Sequence, residues 1–480
     1  MTFASSIFHN IKWSGMSQYG RQALQLLTTI ILARLLQPSD FGLISMAMVV
    51  IVFLNLIKDL GISSAIIQKI DLSENSLSSI YWFNIVFGIV LMVCLFGFAP
   101  HISIFYNEVR LVPILRILSF SFLISSIGTV FQAIFERNLN FHHLAKIELG
   151  GALGGALLGI NFAWNGWGVW SLVFQHLVTA FITTILLYYF SSWRPRFIFH
   201  WDDIRAVSHY GLNFTGFQIF NYFSRNFDYL LIGKYLGAQN LGYYTLAYQI
   251  VFLPIQNITG VINRVMFPVY SQFQNDNRAF REVYLKVTTT VALITFPLIL
   301  SLMIISKPLI LTLLGEKWTP SILILIILAP IGMLQTIGST VGSIYLTKGR
   351  TDWMFKWGMA SSILIVISFL IGVRWGIIGV ASAYAVASLS LLYPNFAIPF
   401  RLIELKIVHL LKAIQPIAYS SLIMFLLTLS IKYILPENIP SIGNILILIL
   451  TALSSFTWLI WKFSPLYIKE VIALIKEKNG

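Results

Sequence analysis

Residues 34–42 read Arg34-Leu35-Leu36-Gln37-Pro38-Ser39-Asp40-Phe41-Gly42, and residues 234–242 read Lys234-Tyr235-Leu236-Gly237-Ala238-Gln239-Asn240-Leu241-Gly242. Both copies start with a basic residue and end in glycine, and a shift of 200 residues superimposes them. A shift of about 210 brings Gly-Trp-Gly-Val-Trp at 166–170 near Gly-Ile-Ile-Gly-Val at 376–380. Few positions are identical, but the apolar pattern around them repeats as well. The chain is therefore predicted to contain two related halves.

The composition around these copies is that of a membrane protein. Of 480 residues, 57% are hydrophobic and only 10% are charged, whereas soluble proteins carry about 25% charged residues. A bilayer-crossing helix needs about 20 predominantly apolar residues. Fourteen stretches meet that length, and the first and seventh are the least apolar. They lie near 13–36, 41–67, 77–99, 110–134, 144–164, 168–190, 207–234, 241–266, 282–306, 320–346, 354–373, 376–399, 410–434 and 442–462.

The span count predicts the architecture. Each repeat holds six spans, and an even number gives both halves the same orientation, which is a parallel repeat of the kind that transporters use. The predicted fold is an all-α integral membrane protein of about 14 transmembrane helices. Two parallel six-helix lobes surround a central cavity, and a C-terminal helix pair follows. The predicted boundaries are 1–205 for the first lobe, 206–405 for the second, and 406–480 for the terminal pair and tail.

The basic residues predict the orientation. With the N-terminus inside, 21 of the 32 Lys and Arg residues fall in loops or at span ends on the inner side and 7 fall on the outer side. Because basic residues accumulate in cytoplasmic loops, both termini are predicted to be cytoplasmic. The same bias accounts for the net charge of +14 without a nucleic-acid partner.

The sequence carries no signature of covalent chemistry. It contains no G-x-x-x-x-G-K-[ST] loop, no C-x-x-C pair and no H-E-x-x-H motif. The longest segment outside the predicted spans is about 18 residues around 191–208, too short for the soluble part of a membrane glycosyltransferase or polymerase. We therefore predict a protein that is not an enzyme and that has no catalytic residue, no cofactor and no metal site.

Charged residues inside the spans are the candidate functional residues, because a charge at membrane depth is costly unless it faces a cavity or a partner. The cations predicted to bind an anionic substrate are Arg21, Lys58, Arg116 and Arg225. The acids predicted to couple an ion are Asp59, Glu148 and Asp228. The alternative is local neutralisation, with Lys58 beside Asp59, Arg225 paired to Asp228 three residues on, and Arg116 reaching an interface.

The opening motif resembles that of polysaccharide transporters of the Wzx/PST type, within the multidrug/oligosaccharidyl-lipid/polysaccharide exporter superfamily. The residues that carry the resemblance are Trp13, Gln22, Leu32 to Gly42, Asp59-Leu60-Gly61, Ala65-Ile66-Ile67-Gln68, Tyr229 to Gly237 and Leu241-Gly242-Tyr243-Tyr244. The resemblance covers about the first 270 residues. It implies two six-helix lobes that enclose a cationic cavity and alternate between inward-open and outward-open states. The extra terminal pair resembles the fourteen-span branch that includes lipid II flippases.

The function implied is a flippase. It would move an undecaprenyl-diphosphate-linked oligosaccharide repeat unit across the bacterial inner membrane for surface polysaccharide, lipopolysaccharide or exopolysaccharide biosynthesis. The expected partners are the lipid-linked oligosaccharide, membrane lipid, H⁺ or Na⁺ as coupling ion, and polysaccharide polymerase and chain-length proteins. One alternative is a multidrug or toxin cation antiporter of the same superfamily. A second alternative is a non-transporting membrane scaffold of polysaccharide assembly.

Overall fold

A computed structural model describes residues 20–59, 63, 66–67, 72–436 and 441–463 of the chain. Trp13 and both chain termini, whose cytoplasmic location is a prediction from the basic residues, lie outside the described residues. Within the described ranges every regular element is a helix.

The first described helices precede and follow the opening motif. They are α1 (20–35), α2 (Pro38–Asp59), α3 (Glu74–Tyr106), α4 (Leu111–Arg137), α5 (Phe141–Trp164), α6 (Trp170–Phe190) and α7 (Trp201–Gln272). The later helices are α8 (Asn277–Leu313), α9 (Pro320–Gly338), α10 (Gly342–Thr347), α11 (Thr351–Gly372), α12 (Gly376–Phe400), α13 (Ile407–Ile434) and α14 (Ser441–Phe463).

Ten helical stretches of the described residues are long and apolar enough to cross a membrane. One of them, Thr351–Ile403, contains two predicted spans separated by a short turn at Val373–Trp375. The two spans that the sequence marks as least apolar, the first and the seventh, are not among the ten. A helix suits the hydrocarbon core because it satisfies its own backbone hydrogen bonds. The prediction of an all-α integral membrane fold is confirmed.

The two halves interrupt their helices at the same repeat position. In the first half the break between α1 and α2 includes Gln37, and Pro38 opens α2, where its missing N–H costs no intrahelical hydrogen bond. In the second half the break within α7 lies at Gly237, whose φ of 82° and ψ of 175° are not helical. Only glycine adopts such a backbone readily. The 200-residue shift aligns 37 with 237, so the repeat is also present in the backbone.

The chain divides into two compact units, unit 1 (Met1–Gly242) and unit 2 (Tyr243–Gly480). The core of unit 1 includes Ile80, Tyr81 and Phe131. The core of unit 2 includes Tyr284 and Phe400. The lobe boundaries after 205 and 405 stay predictions from the span count.

A polar cluster joins three connections of unit 2 outside the spans. Lys348 follows α10, and its Nζ donates to Asn277 Oδ1 at 2.7 Å and lies 5.3 Å from the centre of the Phe280 ring. Burial lowers the pKa of the Lys348 ammonium, against the opposing effect of the Asp276 and Glu404 carboxylates. The cluster holds together the connections at 273–276, 348–350 and 404–406.

Glycines on α5 allow its close packing against α6. A Cβ at Gly155 would lie 1.9 Å from Thr179 Oγ1 and 2.7 Å from the Gln175 carbonyl oxygen. A Cβ at Gly151 would lie 2.0 Å from Thr183 Oγ1. Small residues let helix backbones approach closely in membranes, where van der Waals packing drives association. The Gly-rich run at 150–155 therefore serves helix packing.

Replacing Gly155 with leucine is expected to lower the thermal unfolding temperature of the purified protein. The added side chain has no space against Thr179 and Gln175, and overpacking of this kind costs about 1–3 kcal/mol. The measurement is fluorescence-detected size-exclusion chromatography after heating. The matched control is Gly97→Leu on α3, because a Cβ at Gly97 meets nothing within 4 Å. Equal melting of the two variants would contradict the packing role of Gly155.

Candidate functional site

An open polar cavity of about 200 Å³ lies in unit 1 between the C-terminal ends of α2 and α4. Two of the predicted site residues, Lys58 and Asp59, line it together. The other lining residues are Asn55, Ser63, Thr129, Gln132, Ala133 and Glu136. We call this cavity the Lys58 pocket.

The ammonium of Lys58 is the cation of this pocket. The side chain is only 6% exposed, and its Nζ donates to Ser125 Oγ on α4 at 2.6 Å. Lys58 stands in the last turn of α2, where the negative end of the helix dipole favours a cation. Burial of a charged group requires such a partner. The fold therefore holds a nearly dry positive charge at the edge of the cavity.

The acids of the pocket have hydrogen-bond partners of their own. Asp59 Oδ1 accepts from Ser63 Oγ at 2.6 Å, and Glu136 Oε1 accepts from Gln132 Nε2 at 2.9 Å. In the described residues no salt bridge joins Lys58 to Asp59, although the two are adjacent in sequence. The interpretation in which these neighbours neutralise each other by direct contact is not the arrangement found. The pocket offers one ammonium, two carboxylates and several hydroxyl and amide groups.

The sequence-based site predictions include none of the residues on the α4 side of the pocket. Thr129, Gln132 and Glu136 are spaced by three and four residues, which places them on one face of a helix. A polar face at the end of an otherwise apolar span was the signal that could have found them. Asn55 precedes Lys58 and Asp59 by one turn of α2 in the same way.

Arg21 and Glu148 are brought together in unit 1. Arg21 Nη1 on α1 lies 3.1 Å from Glu148 Oε2 on α5, and the two side chains are 46% and 22% exposed. A partly exposed ion pair of this kind contributes little to stability, about 0–1 kcal/mol. The pair joins a predicted substrate cation to a predicted ion-coupling acid, and neither residue lines the Lys58 pocket.

Arg225 and Asp228 do not pair. Arg225 is exposed on α7, and its guanidinium makes no ion pair or hydrogen bond with any described residue. Asp228 is 3% exposed, and its Oδ1 accepts from the backbone N of Tyr229 at 2.9 Å. Phe223 lies close by in sequence and is 38% exposed, and its ring centre is 4.9 Å from that of Phe53. Arg225 thus presents a guanidinium that has no ionic or hydrogen-bonded partner among the described residues.

Arg116 occupies a third kind of environment. Its guanidinium lies 4.9 Å from the centre of the Phe96 ring, a cation–π contact. Its Nε is buried without a hydrogen-bond partner among the described residues. Of the four predicted substrate cations, one is buried in the pocket, one is paired with an acid, one lies over an aromatic ring and one has no ion pair with a described residue. Their assignment to substrate stays a prediction.

No group of three or more His, Cys, Asp or Glu residues suited to a metal ion occurs in the part of the chain that the structure describes.

The model of a family described as polysaccharide biosynthesis protein matches residues 31–323. This chain belongs to that family. The match begins at the opening motif and includes α2 to α8 and the whole Lys58 pocket.

This family member is similar to several described proteins over most of its length. It is 33% identical over 402 residues to the teichuronic acid biosynthesis protein TuaB of Bacillus subtilis (strain 168), covering 81% of each chain. It is 29% identical over 388 residues to the lipopolysaccharide biosynthesis protein WzxC of Escherichia coli (strain K12), covering 80% of this chain and 79% of that one. It is 26% identical to the succinoglycan biosynthesis transport protein ExoT of Rhizobium meliloti (strain 1021), covering 75% and 73%. The predicted resemblance is confirmed.

Solved structures show the fold of this family member. A lipid II flippase, MurJ in an inward closed conformation, matches 95% of this chain and 100% of its own with a TM-score of 0.77 at 17% identity. An inward-facing multidrug resistance MATE transporter of the MOP superfamily matches 80% of this chain and 94% of its own with a TM-score of 0.63 at 16% identity. At such identities the likeness concerns the fold alone. This is a multi-pass membrane transporter fold.

Proposed function

We propose that this protein flips a lipid-diphosphate-linked oligosaccharide across the bacterial cytoplasmic membrane by alternating access, without covalent chemistry. The observation that carries the proposal is the Lys58 pocket, which holds a cation at 6% exposure between two helices of a chain of this family. A flippase needs polar groups within the spans to replace the water around a diphosphate and sugars. The lipid tail stays in the bilayer during the passage.

The cations have complementary roles in this proposal. Lys58 acts as a compact point charge for phosphate, and Arg225 offers a planar guanidinium that binds two phosphate oxygens at once. The ring of Phe223, which is 38% exposed, is a surface on which a sugar ring stacks. Arg21 becomes available to the substrate when its ion pair with Glu148 opens.

Ion coupling is the second part of the proposal. Asp59 and Glu136 in the pocket, Glu148 beside Arg21 and the buried Asp228 are the carboxylates at which H⁺ or Na⁺ exchanges during the cycle. Polymerase and chain-length proteins receive the flipped repeat unit on the outer side. Both chain termini lie on the cytoplasmic side, as the basic residues predict.

A cation antiporter is the second candidate, and one observation favours it. The Lys58 pocket is lined by two carboxylates and only one ammonium, and cation exporters place acids in their cavities. In that case the pocket would accept an organic cation, and the Lys58 ammonium would compete with that cation for the two carboxylates. The two candidates predict opposite consequences of gene loss.

Mass spectrometry of lipid extracts from a strain lacking the gene tests the proposal, together with a stain for surface polysaccharide. We expect lipid-diphosphate-linked oligosaccharide to accumulate and surface polymer to be lost, and the intact gene to reverse both. Normal glycolipids and normal polymer, with new sensitivity to cationic drugs, would contradict the flippase and support the antiporter.

A further inference from the structure

Two glycines of the repeated motif make backbone-to-backbone contacts that exclude any side chain. A Cβ at Gly42 of α2 would lie 1.7 Å from the carbonyl oxygen of Ala238. A Cβ at Gly242 of α7 would lie 1.9 Å from the carbonyl oxygen of Pro38 and 3.2 Å from the N of Gly42. All four residues belong to unit 1. We call them the glycine contact.

The glycine contact obeys the sequence repeat. The 200-residue shift turns 42 into 242 and 38 into 238. Gly42 faces the carbonyl of residue 238, and Gly242 faces the carbonyl of residue 38, so the repeat exchanges the two contacts. Such reciprocity is the mark of an isologous, two-fold contact. The axis that relates the two copies of the motif therefore passes between these two helix segments.

On each side of the contact, a side-chain hydrogen bond bridges the helix break. Asp40 Oδ2 accepts from the backbone N of Gln37 at 2.9 Å, which closes the first break in the manner of a capping box. Asn240 Nδ2 donates to the carbonyl oxygen of Leu236 at 2.8 Å across the break at Gly237. Residues 40 and 240 are repeat counterparts, and both hydrogen-bond back over the interruption at 37 or 237. These two hydrogen bonds connect the residues on either side of each break next to the glycine contact.

The two helix segments of the glycine contact can separate at low energetic cost. The atoms nearest to an added Cβ at Gly42 and at Gly242 are all main-chain atoms, and a glycine that approaches a carbonyl oxygen in this way makes at most a weak Cα–H···O contact. The contact also lies near the start of α2. Gly42 stands four residues after Pro38, or about 6 Å along a helix, whereas α2 has 22 residues. A contact so near a helix start is poorly placed to be a pivot at the membrane midplane.

We propose that the glycine contact is the closed outer gate of the transport pathway and that it separates when the pathway opens to the outside. The basic residues assign the 36–41 connection to the outer side. The inference deepens the proposed function and rests on it only in assuming that the pathway opens alternately. The gate itself requires no particular substrate.

Thiol labelling tests the gate. Ser45 lies about one turn beyond Gly42 and is 9% exposed, so a thiol at this position reports access past the gate. Ser45→Cys is introduced together with Cys94→Ser, which removes the single cysteine of the chain. We expect Gly42→Ala or Gly242→Ala to raise the rate at which a membrane-impermeant maleimide, added to whole cells, labels this thiol by several-fold. The matched control is Gly97→Ala, where the added methyl group meets nothing within 4 Å. Unchanged labelling in both glycine variants, or a rise only from the cytoplasmic side, overturns the outer gate.

A second measurement keeps both glycines in place, in case the alanine variants fail to fold. A cleavable bismaleimide is applied to the repeat-related pair Ser39→Cys and Gln239→Cys, again without Cys94. We expect cross-linking to stop labelling of a cysteine at Ser45 and cleavage to restore it. Absence of a cross-link contradicts the contact, and undiminished labelling of cross-linked protein contradicts the gate. If labelling behaves as expected while glycolipids stay normal in the deletion strain, the outer gate is supported and the flippase function is contradicted.

Discussion

Lys58→Met is expected to reduce transport at least about tenfold while leaving the protein as stable as the wild type. Methionine fills nearly the same volume but cannot donate to Ser125 or attract a phosphate. A hydrogen bond to a charged group contributes about 2 kcal/mol, and a loss of 1.4 kcal/mol of transition-state stabilisation is a tenfold loss of rate. Replacing a buried charge by an apolar isostere is often neutral or stabilising. In this variant the transport rate should therefore fall while the free energy of unfolding stays unchanged.

The measurement for Lys58 combines two readouts. Accumulation of lipid-linked oligosaccharide in the complemented deletion strain reports transport, and thermal unfolding of the purified protein reports stability. Lys356→Met is the matched control, because Lys356 is an exposed lysine at the start of α11. If Lys58→Met transports normally, the pocket does not act on the substrate. If it loses transport only in proportion to lost folded protein, Lys58 is structural.

Arg225→Gln is expected to lower transport about tenfold or more without changing the unfolding temperature. Its guanidinium has no ionic or hydrogen-bonded partner among the described residues, so its removal breaks no ion pair or hydrogen bond with them. Its loss should be felt only when an anionic substrate is bound. Arg225→Lys should recover part of the activity, since lysine keeps the charge but loses the two-point geometry.

The control for Arg225 is Arg278→Gln, which removes an arginine whose side chain is 85% exposed near the start of α8. Transport of fluorescently marked lipid-linked oligosaccharide in proteoliposomes gives the rate. The result separates the three candidate functions. A flippase loses activity, and a cation antiporter keeps or gains drug export when this cation is removed. A non-transporting scaffold supports wild-type polysaccharide with either variant.

Local patterns in the sequence predicted the fold. The shortage of charge, the recurrence of apolar stretches and the repeat at 34–42 and 234–242 are all visible in the one-dimensional chain. They determine helices because the bilayer leaves a backbone no partner except itself. The structure confirms the helical membrane fold and shows both helix breaks at repeat-related positions, 37 and 237.

The partners of individual side chains were decided by tertiary structure. Arg225 and Asp228 share a helical face by spacing, yet Asp228 turns to the backbone of Tyr229. Lys58 instead finds Ser125, 67 residues away, and Gly42 finds Ala238. Hydropathy depends on each residue's own transfer from water to lipid, so the sequence determined which segments span the membrane. Which charge is buried, paired or free depends on the neighbouring helix at the same depth, and only the packed structure determines that.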